Sequence, residues 1–456
     1  MLKAIFYDIL TIEGSEVTML KLKNIDKDIY DNYVKNHPTK SHFLQSHAWG
    51  EFAKVKKGVT PYYLGLVNEK DELVAATLLL QKILPLNFCY FYAPRGFVID
   101  YNKKELVKIM TKKVVEFAKR KKAIFVKIDP DIIYKSYNYL NEEVKLNYDP
   151  KEIFATLQEA GFKHQGFTKN FETMQPRYTF RIDLTQPIEE IEEHFSKTTK
   201  QRIAKAIKLE TEVTIGGKDD IKEFYHLMTL TENRKDFISY NEDYYETLYE
   251  IFNGNENSKA TLFLGKVNLN KTIKSLEKSL KRINDQISII PIDNLSKSAK
   301  TKLSELTKQK ENINNEIEKF KSYRQEYGQE LTLSAHMIIE YGDKAWVLYA
   351  GNHNILSETY VNYNTYYEHI KYCKNRGLKI YDQFGTIGDI SENNPRLGLH
   401  EFKKKFGGDY VEFIGEWDYI TNKIMYFIFT KIVPIYRNFV KKRSKKELQN
   451  EINKTN

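Results

Sequence analysis

The sequence predicts an α+β protein of two successive units, the second of which is interrupted by an antiparallel coiled-coil hairpin. Strand-like runs alternate with amphipathic helical segments in the first third of the chain, a similar round follows, and a heptad repeat breaks into that second round. At 456 residues the chain is too long for one compact core. Its 41% hydrophobic and 29% charged residues are an ordinary globular balance, which excludes wholesale disorder.

The first unit combines β-branched and aromatic runs with two amphipathic helices. One helix is predicted at about 103–121, and a second at 153–159 ends before Gly161, a residue type that suits the position just after a helix. The predicted strands are 62–67, 73–81, 88–92 and 123–128.

The second unit has a similar make-up, although the two do not form a sequence repeat that can be aligned. Helices are predicted at about 188–208, 221–234 and 360–375. The predicted strands are 178–183, 260–267, 333–340, 345–349 and 379–381. Because strands lie on both sides of residues 268–330, that stretch is predicted to be an insertion in a sheet.

The insertion carries a heptad pattern on two predicted helices. The apolar residues of the first helix have spacings of three, four, three and four: Ile273, Leu276, Leu280, Ile283 and Ile287. Those of the second helix are Leu303, Leu306, Ile313, Ile317, Phe320 and Tyr327. A turn around Pro291 would join the helices into a hairpin arm that reaches about 30–45 Å. The alternative is a coil that dimerises the protein.

Positive charge is concentrated in two segments. The net charge of the chain is +10. Residues 268–330 hold 13 Lys or Arg against 9 Asp or Glu, and residues 431–456 hold 8 against 2. These two segments account for the whole excess, which indicates polyanionic partners, either nucleic acid or an anionic membrane.

The segment before the C-terminal tail is amphipathic. Ile424, Ile428, Ile432, Ile435 and Phe439 follow helical spacing, and the basic run KKRSKK comes shortly after them. An apolar stripe beside a polybasic run is typical of a membrane interface that carries anionic lipid. The alternative is a helix that docks on the domain core and is followed by a solvated tail. Both interpretations can hold for different parts of the segment.

Other classes of site have no support in the sequence. Two cysteines, Cys89 and Cys373, exclude a disulfide framework and a multi-thiolate metal site. Nucleotide-binding glycine loops, the HExxH metal motif and the GxSxG nucleophile motif do not occur. No apolar run is long enough to cross a membrane, and Asp8 interrupts the first one, so neither a span nor a signal peptide is expected and a cytosolic location is predicted.

Nine short strings, taken in order, resemble the FemABX family of peptidoglycan interpeptide-bridge aminoacyltransferases. Each string is weakly specific alone, but together they cover about residues 20–436. The first three are HFLQSHAWGEFAK (42–54), YAPRGFVID (92–100) and VKIDPD (126–131). The next three are PRYTFRIDLT (176–185), TKQRIAKAIK (199–208) and TENRKDF (231–237). The last three, after the insertion, are WVLYAGN (346–352), YDQFGTIGD (381–389) and HEFKKKFGGDYVEFIGEWD (400–418).

The resemblance implies two domains of the GNAT acyltransferase type. The first would occupy residues 1–165 and be completed by 409–430. The second would comprise 166–267 and 331–408, with 268–330 as the coiled-coil arm and 431–456 as a basic tail.

The resemblance also implies a reaction. An amino acid would pass from an aminoacyl-tRNA to the side-chain amine of the third stem-peptide residue of a peptidoglycan precursor. That precursor is lipid II in some family members and UDP-MurNAc-pentapeptide in others. The arm favours lipid II, and the enzyme would then work peripherally at the anionic inner face of the plasma membrane. Because the tRNA ester is already activated, no cofactor and no metal are expected.

Lys403 is the best candidate for the catalytic residue, because the Phe402–Lys403 pair matches the functional lysine of the family. A lysine in a dry cleft can stabilise the oxyanion that develops at the ester carbonyl. Phe402 would flank the lysine and help to exclude water. The adjacent Lys404 and Lys405 are competitors, and a solvated lysine run on a helix is the alternative.

Two basic residues are expected to hold the diphosphate of the precursor. Lys54 stands where the family has a phosphate-contacting lysine, with Lys56 and Lys57 as close competitors. Arg234 matches an arginine of the second domain, and a guanidinium suits bidentate phosphate contact. The alternative for Arg234 is a residue that caps its helix.

Two further positions match substrate-proximal residues of the family. Tyr349, at the end of a predicted strand, would lie near the precursor, although tyrosines at strand ends are common. Asp129 matches an acidic residue of the family that is a candidate general base, and its position before a proline also makes it a plausible turn former. It is assigned at most a supporting role, because substrate groups can carry the proton.

Contacts to tRNA are expected from exposed basic residues. On the arm these are Lys278, Arg282 and Lys302, and on the TKQRIAKAIK helix they are Arg202 and Lys205, which could instead face the domain interface. Two rival functions remain open. One is a GNAT-like N-acyltransferase that acts on another amine, and the other is a non-catalytic adaptor that binds tRNA or membrane.

Overall fold

The computed structural model describes the backbone of residues 8–11, 17–235, 239–290 and 296–434, and the side chains of residues 20–232, 239–290 and 296–434. Within these ranges the chain forms two eight-stranded mixed sheets, helices that pack on them, and a pair of long helices. The long pair is inserted between two neighbouring antiparallel strands of the second sheet. The predicted α+β class with an inserted helical hairpin is confirmed.

The strands of the described residues are short to medium in length. In chain order they are β1 (Asp8–Thr11), β2 (Val17–Asn24), β3 (Thr60–Val67), β4 (Leu73–Ile83), β5 (Cys89–Ala93), β6 (Ala123–Ile128), β7 (Ile133–Tyr137), β8 (Lys163–His164), β9 (Tyr178–Asp183), β10 (Thr211–Gly216), β11 (Ser258–Asn268), β12 (Glu330–Tyr341), β13 (Lys344–Asn352), β14 (Ile380–Asp382), β15 (Asp409–Phe413) and β16 (Trp417–Ile420).

The helices of the described residues vary more in length. They are α1 (Lys27–Asn36), α2 (His47–Lys57), α3 (Lys104–Arg120), α4 (Pro150–Glu159), α5 (Ile188–Glu193), α6 (Lys197–Lys208), α7 (Ile221–Lys235), α8 (Glu242–Asn253), α9 (Leu269–Ser288), α10 (Lys297–Tyr327), α11 (Val361–Asn375), α12 (Leu397–Lys404) and α13 (Lys423–Phe427). The single helix predicted at 188–208 is two helices, α5 and α6. They separate because the Ser196 side chain accepts the Thr199 N–H and so begins α6.

The two sheets exchange strands. Their orders are β1-β2-β3-β4-β5-β6-β16-β8 and β10-β11-β12-β13-β14-β9-β15-β7. The sequence-derived limits placed β7 and β15 in the first domain, but β15 pairs with β7 and β9 in the second sheet. Gly415, at φ +91°, then turns the chain so that β16 pairs with β6 in the first sheet.

One apolar core spans both halves of the molecule. The ring of Phe43 lies 5.1 Å from that of Trp346 and 6.2 Å from that of Phe252, measured between centroids. The same buried cluster contains Tyr30 from the first half and Tyr245 from the second. Because large aromatic rings contribute most to such a core, separating the halves would expose a sizeable apolar surface.

A buried ion network crosses the same boundary. Arg181 on β9 donates from Nε to Asp382 Oδ2 (2.8 Å) and from a terminal nitrogen to Asp131 Oδ1 (3.0 Å). Asp131 follows β6 of the first sheet, whereas Asp382 ends β14 of the second. Burial opposes ionisation of Asp131, but the combined positive charge around it, to which Arg181 contributes most, outweighs burial and holds the pKa of Asp131 well below its ordinary value.

The arm is closed at its base and packed along its seam. Asn268 caps α9, and the Leu269 N–H donates to the Gln329 carbonyl (2.8 Å) where α10 returns to β12. At 20 and 31 residues the two helices are about 30 and 46 Å long. Six of their buried residues fall on the predicted seam: Ile273, Leu276, Ile283, Leu306, Ile317 and Phe320. The turn predicted around Pro291 lies outside the described residues.

The described C-terminal segment is helical, with α13 followed by a π-helical turn over Ile428–Ile432. Its Phe429 ring lies 5.7 Å from Tyr90 and 5.9 Å from Phe125, so one side of the helix docks on the first sheet. Ile435, Phe439 and the basic run beyond them lie outside the described residues. In the part of the chain that is described, no helix has both the length and the apolarity needed to cross a bilayer.

Replacing Arg181 with methionine tests the ion network. The change removes the cation between two buried carboxylates, and we expect the free energy of unfolding to fall by about 3–5 kcal/mol. The matched control is Lys379→Met, which breaks a solvent-exposed pair with Asp343 (3.3 Å) and should cost less than about 1 kcal/mol. Denaturant unfolding measures both variants, and equal small losses would contradict the assigned role of Arg181.

Candidate active site

Lys403 is buried and all three of its ammonium protons are engaged. The side chain, on the last turn of α12, is 5% exposed. Its Nζ donates to the carbonyl oxygens of Gln383 (2.7 Å) and Gly385 (2.7 Å), and to that of Phe384. Phe384 has a φ of 47°, unusual for a residue with a side chain, so the lysine holds a strained loop in place.

The loop ties Lys403 to the buried ion network. The Phe384 N–H donates to Asp382 Oδ1 (2.8 Å), and Asp382 is the residue that also pairs with Arg181. Burial lowers the pKa of Lys403 to about 7, while the negative charge of Asp382 opposes that shift. The three carbonyl oxygens also favour the ammonium form. Lys403 is therefore partly protonated near pH 7, and its ammonium form holds a positive charge in a dry environment, where the charge acts more strongly than in water.

Phe402 points into an aromatic layer beside α11. Its ring lies 4.9 Å from Tyr366, 5.0 Å from Tyr363 and 5.4 Å from Phe406. Lys404, the next residue after Lys403, is exposed, and Lys405 is half-buried. Of the three adjacent lysines, Lys403 is therefore the one that is buried.

The lysines near the end of α2 have different environments. Lys54 is exposed and lies 3.6 Å from Glu51, a loose pair on the helix surface. Lys56 forms an ion pair with Asp243 of α8. Lys57 lies over the Trp49 ring (4.5 Å), and burial lowers its pKa to about 8. Lys54 is thus the most accessible of the three to an anionic ligand.

Tyr349 belongs to a cluster of tyrosines between β13 and α8. Its hydroxyl is 3.0 Å from that of Tyr244, and its ring is 5.2 Å from Tyr245. Tyr244 also packs against Phe52 of α2 (4.9 Å), so this cluster adjoins the helix that carries Lys54. Arg234 lies in α7, and its side chain is outside the described residues.

The loop at 383–385 and the α2 region meet through aromatic side chains. Phe384 packs on Phe43 (6.1 Å), and Phe43 packs on Trp49 of α2 (5.7 Å). The elements that carry Lys403, Tyr349 and Lys54 therefore adjoin one continuous core, although these side chains do not touch one another.

Asp129 is a buried acid at a separate place. It accepts hydrogen bonds from the Arg95 N–H (2.6 Å) and the Tyr92 hydroxyl (3.0 Å), and burial raises its pKa to about 7. It lines a cavity of about 10 Å³, the size of one water molecule, with Glu416 and Arg177. The sequence analysis did not single out Arg95, Glu416 or Arg177. Within the described ranges, no group of three His, Cys, Asp or Glu side chains is arranged to hold a metal ion.

The basic residues expected to contact tRNA fall into two groups. Lys278, Arg282 and Lys302 are exposed on the arm. Arg202 donates to the Tyr363 hydroxyl and lies over that ring (4.9 Å), while Lys205 pairs with Glu316 of α10 (2.8 Å). In this structure the second group joins α6 to α11 and to the arm.

The fold and these residues define a two-sheet α+β protein in which a buried lysine is bound by the carbonyl oxygens of one loop. Comparison with known proteins gives its family. The model of the FemAB family matches residues 25–432. The chain belongs to the FemAB family, as its sequence strings indicated.

Individual relatives are similar over nearly their whole length. A lipid II:glycine glycyltransferase of Staphylococcus epidermidis is 27% identical over 416 residues, which cover 90% of this chain and 95% of that protein. The enzyme of the same description from Staphylococcus aureus is 28% identical over 426 residues with the same coverage. The crystal structure of FemX superposes with a TM-score of 0.73 at 26% identity, covering 90% of this chain and 99% of that one.

Replacing Asp129 with asparagine tests its raised pKa. Between about pH 4 and pH 7 the unfolded state releases the Asp129 proton while the folded state keeps it, so the parent loses stability relative to the variant as pH rises. We expect the unfolding free energy of the variant minus that of the parent to grow by up to about 4 kcal/mol across that window and to stay constant above it. Urea denaturation at a series of pH values measures it, and a difference independent of pH would contradict the assignment.

Proposed function

We propose that this protein is an aminoacyltransferase that moves an amino acid from aminoacyl-tRNA to the stem-peptide side-chain amine of lipid II. The observation that carries the proposal is the buried Lys403 ammonium in a chain whose relatives, matched over 95% of their length, are described as lipid II:glycine glycyltransferases. Lipid II is the preferred acceptor over UDP-MurNAc-pentapeptide. The protein would act peripherally at the cytoplasmic side of a bacterial plasma membrane.

The reaction needs positioning and charge stabilisation rather than a cofactor. The neutral acceptor amine attacks the ester carbonyl carbon, a C–N bond forms, and the carbonyl oxygen becomes an oxyanion. The carbonyl then re-forms as the bond to the ribose oxygen breaks, the attacking nitrogen loses a proton, and the ribose oxygen gains one to become a hydroxyl. Two large anionic substrates must be held together while this happens.

Lys403 supports this chemistry by its charge and by its hold on the 383–385 loop. The oxyanion can replace one carbonyl oxygen as an acceptor of the Nζ protons, because an anion is a stronger acceptor than a neutral carbonyl. Phe402 and its aromatic neighbours cover the other face of α12 and so help to exclude water from Lys403. Asp382, through the Phe384 N–H, keeps the loop in the required conformation.

Binding of the precursor is assigned to the α2, α7 and β13 region. Lys54 is exposed and only loosely paired, so it is available to a diphosphate, and Arg234 would complete the contact. Tyr349, which is only partly buried, is assigned to the sugar–peptide part, and the buried Tyr244 and Tyr245 hold it in position. Asp129 is assigned a supporting role in the fold around the site, since its carboxylate oxygens already accept internal hydrogen bonds.

A transfer assay tests the proposal directly. Radiolabelled amino acids on a pool of bacterial tRNAs are offered with lipid II or, separately, with UDP-MurNAc-pentapeptide. We expect label on lipid II in preference to the soluble precursor. Label on the soluble precursor alone would keep the reaction class but contradict the assigned acceptor. No label on either, with folded protein, would favour a non-catalytic adaptor or an acyltransferase that acts on another amine.

The same assay separates Lys403 from its neighbours. Lys403→Met should lower transfer on the order of 100-fold or more while binding of tRNA and precursor is largely kept, because the lost charge acts mainly on the transition state. The matched control is Lys404→Met, an exposed lysine one residue away that should keep transfer within about twofold of the parent. Equal effects of the two substitutions would contradict a special role for Lys403.

Charge reversal on the arm tests the donor assignment. The triple change Lys278→Glu, Arg282→Glu and Lys302→Glu should weaken tRNA binding by about tenfold or more and reduce its salt dependence, because fewer counterions are released. The control reverses three exposed lysines of the first half, Lys70, Lys145 and Lys163. Filter binding at several salt concentrations measures the tRNA affinity of both variants. If the two lost affinity equally, the assignment of the arm to tRNA binding would be contradicted.

A further inference from the structure

Several turns and one helix meet at a single end of the first sheet. Strand pairing sets Ile83 opposite Cys89, Cys89 beside Ala123, and Phe125 opposite Ile420. The β4–β5 turn, the turn between α3 and β6, and the start of α13 therefore lie together. The side chain and backbone of Thr421 fasten this end, donating to the carbonyl oxygens of Ala123 and Ile124.

Large apolar side chains at this end are exposed to solvent. Leu86 is 81% exposed at the tip of the β4–β5 turn, where its φ of 62° places a leucine in a conformation that side chains rarely adopt. Ile424 and Phe427, one helical turn apart, are 74% and 59% exposed. Tyr426 and Phe429 of the same segment pack on Phe125, which leaves the Ile424–Phe427 side unpartnered within the described residues.

Basic residues surround these apolar side chains. The run Lys119–Lys122, at the end of α3, has four consecutive positive residues, and all four are exposed. Lys423 and Lys431 of the C-terminal segment are exposed as well. Together with residues 84–88, these stretches hold six positive residues and no acidic one. An exposed apolar group ringed by lysine and arginine is complementary to a bilayer surface with anionic headgroups.

We propose that Leu86, Ile424, Phe427 and the basic run Lys119–Lys122 form a face that docks on an anionic lipid bilayer, called here the docking face. The apolar side chains would enter the headgroup region while the lysines and the arginine lie at the phosphates. A nucleic acid could satisfy the positive charges, but it offers no apolar phase for three exposed aliphatic and aromatic groups. A bilayer satisfies both.

The docking face deepens the proposed function because it is at the end of the first sheet where α2 ends. Lys82, next to the β4–β5 turn, donates to the carbonyl oxygens of Lys57 (2.9 Å) and Gly58 (3.3 Å) at the end of α2. Lys54 lies one turn earlier on that helix. A diphosphate anchored in the membrane by its lipid would thus meet Lys54 near the bilayer surface.

Vesicle sedimentation of the full chain tests the docking face. The vesicles are phosphatidylglycerol–phosphatidylcholine mixtures or pure phosphatidylcholine, with no lipid II and no tRNA, so that failure of binding and failure of transfer are separate results. We expect binding to the anionic vesicles and at least about tenfold weaker partitioning for the pair Leu86→Asp and Phe427→Asp. The matched control is Ile215→Asp, an equally exposed isoleucine on the second sheet, which should leave partitioning unchanged.

A second measurement does not depend on the stability of those variants. In Leu86→Trp the new indole should shift its emission to the blue and be quenched by brominated lipid when anionic vesicles are added, whereas the tryptophan of Ile215→Trp should do neither. Arg120→Glu with Lys122→Glu should also weaken vesicle binding by about tenfold. The proposal would be overturned if the aspartate pair and the glutamate pair both bound vesicles like the parent. It would also be overturned if these pairs lost tRNA binding rather than vesicle binding.

Discussion

The pairing of Arg181 with Asp131 and Asp382 joins the two halves of the molecule and leads to its candidate active site. One carboxylate belongs to the first sheet's half and the other to the second, so a single guanidinium spans the boundary. Asp382 also accepts a hydrogen bond from the Phe384 N–H, and the Phe384 carbonyl oxygen accepts one from the Lys403 ammonium. The geometry around the buried lysine thus depends on the packing of the two halves, and any movement between them would reach the 383–385 loop.

The cations to which we assign functions fall into two kinds, one buried and one exposed to solvent. Lys403 is buried, and three carbonyl oxygens accept its hydrogen bonds. Its ammonium group is therefore fixed in position and acts in a medium of low dielectric constant. Lys54, the arm lysines and the run Lys119–Lys122 stay in solvent, where positive charge attracts large anions from a distance but is screened by salt. The first arrangement suits a transition state, and the second suits the capture of tRNA, diphosphate and membrane.

The inserted arm can extend from the sheet without disturbing it because the two points where it leaves and rejoins the sheet are held together by local contacts. The hydrogen bond between Leu269 and Gln329 brings the two helices together at adjacent ends of β11 and β12, which are paired along their whole length. Lys205 then fixes the arm to α6 through Glu316. Lys205, expected to face either RNA or the domain interface, thus has a partner within the protein.

The sequence by itself determined the α+β class, the order of most strands and helices, and the arm, because each depends on the spacing of apolar residues along a short stretch of chain. The family strings also selected Lys403, Lys54 and Tyr349. Only the tertiary structure decided that Lys403 is buried among carbonyl oxygens while Lys404 is exposed, and that β7 and β15 join the second sheet. The docking face likewise combines two turns of the first half with α13, which lies hundreds of residues further along the chain. Burial and strand pairing are properties of segments that meet in space, so no local pattern could predict them.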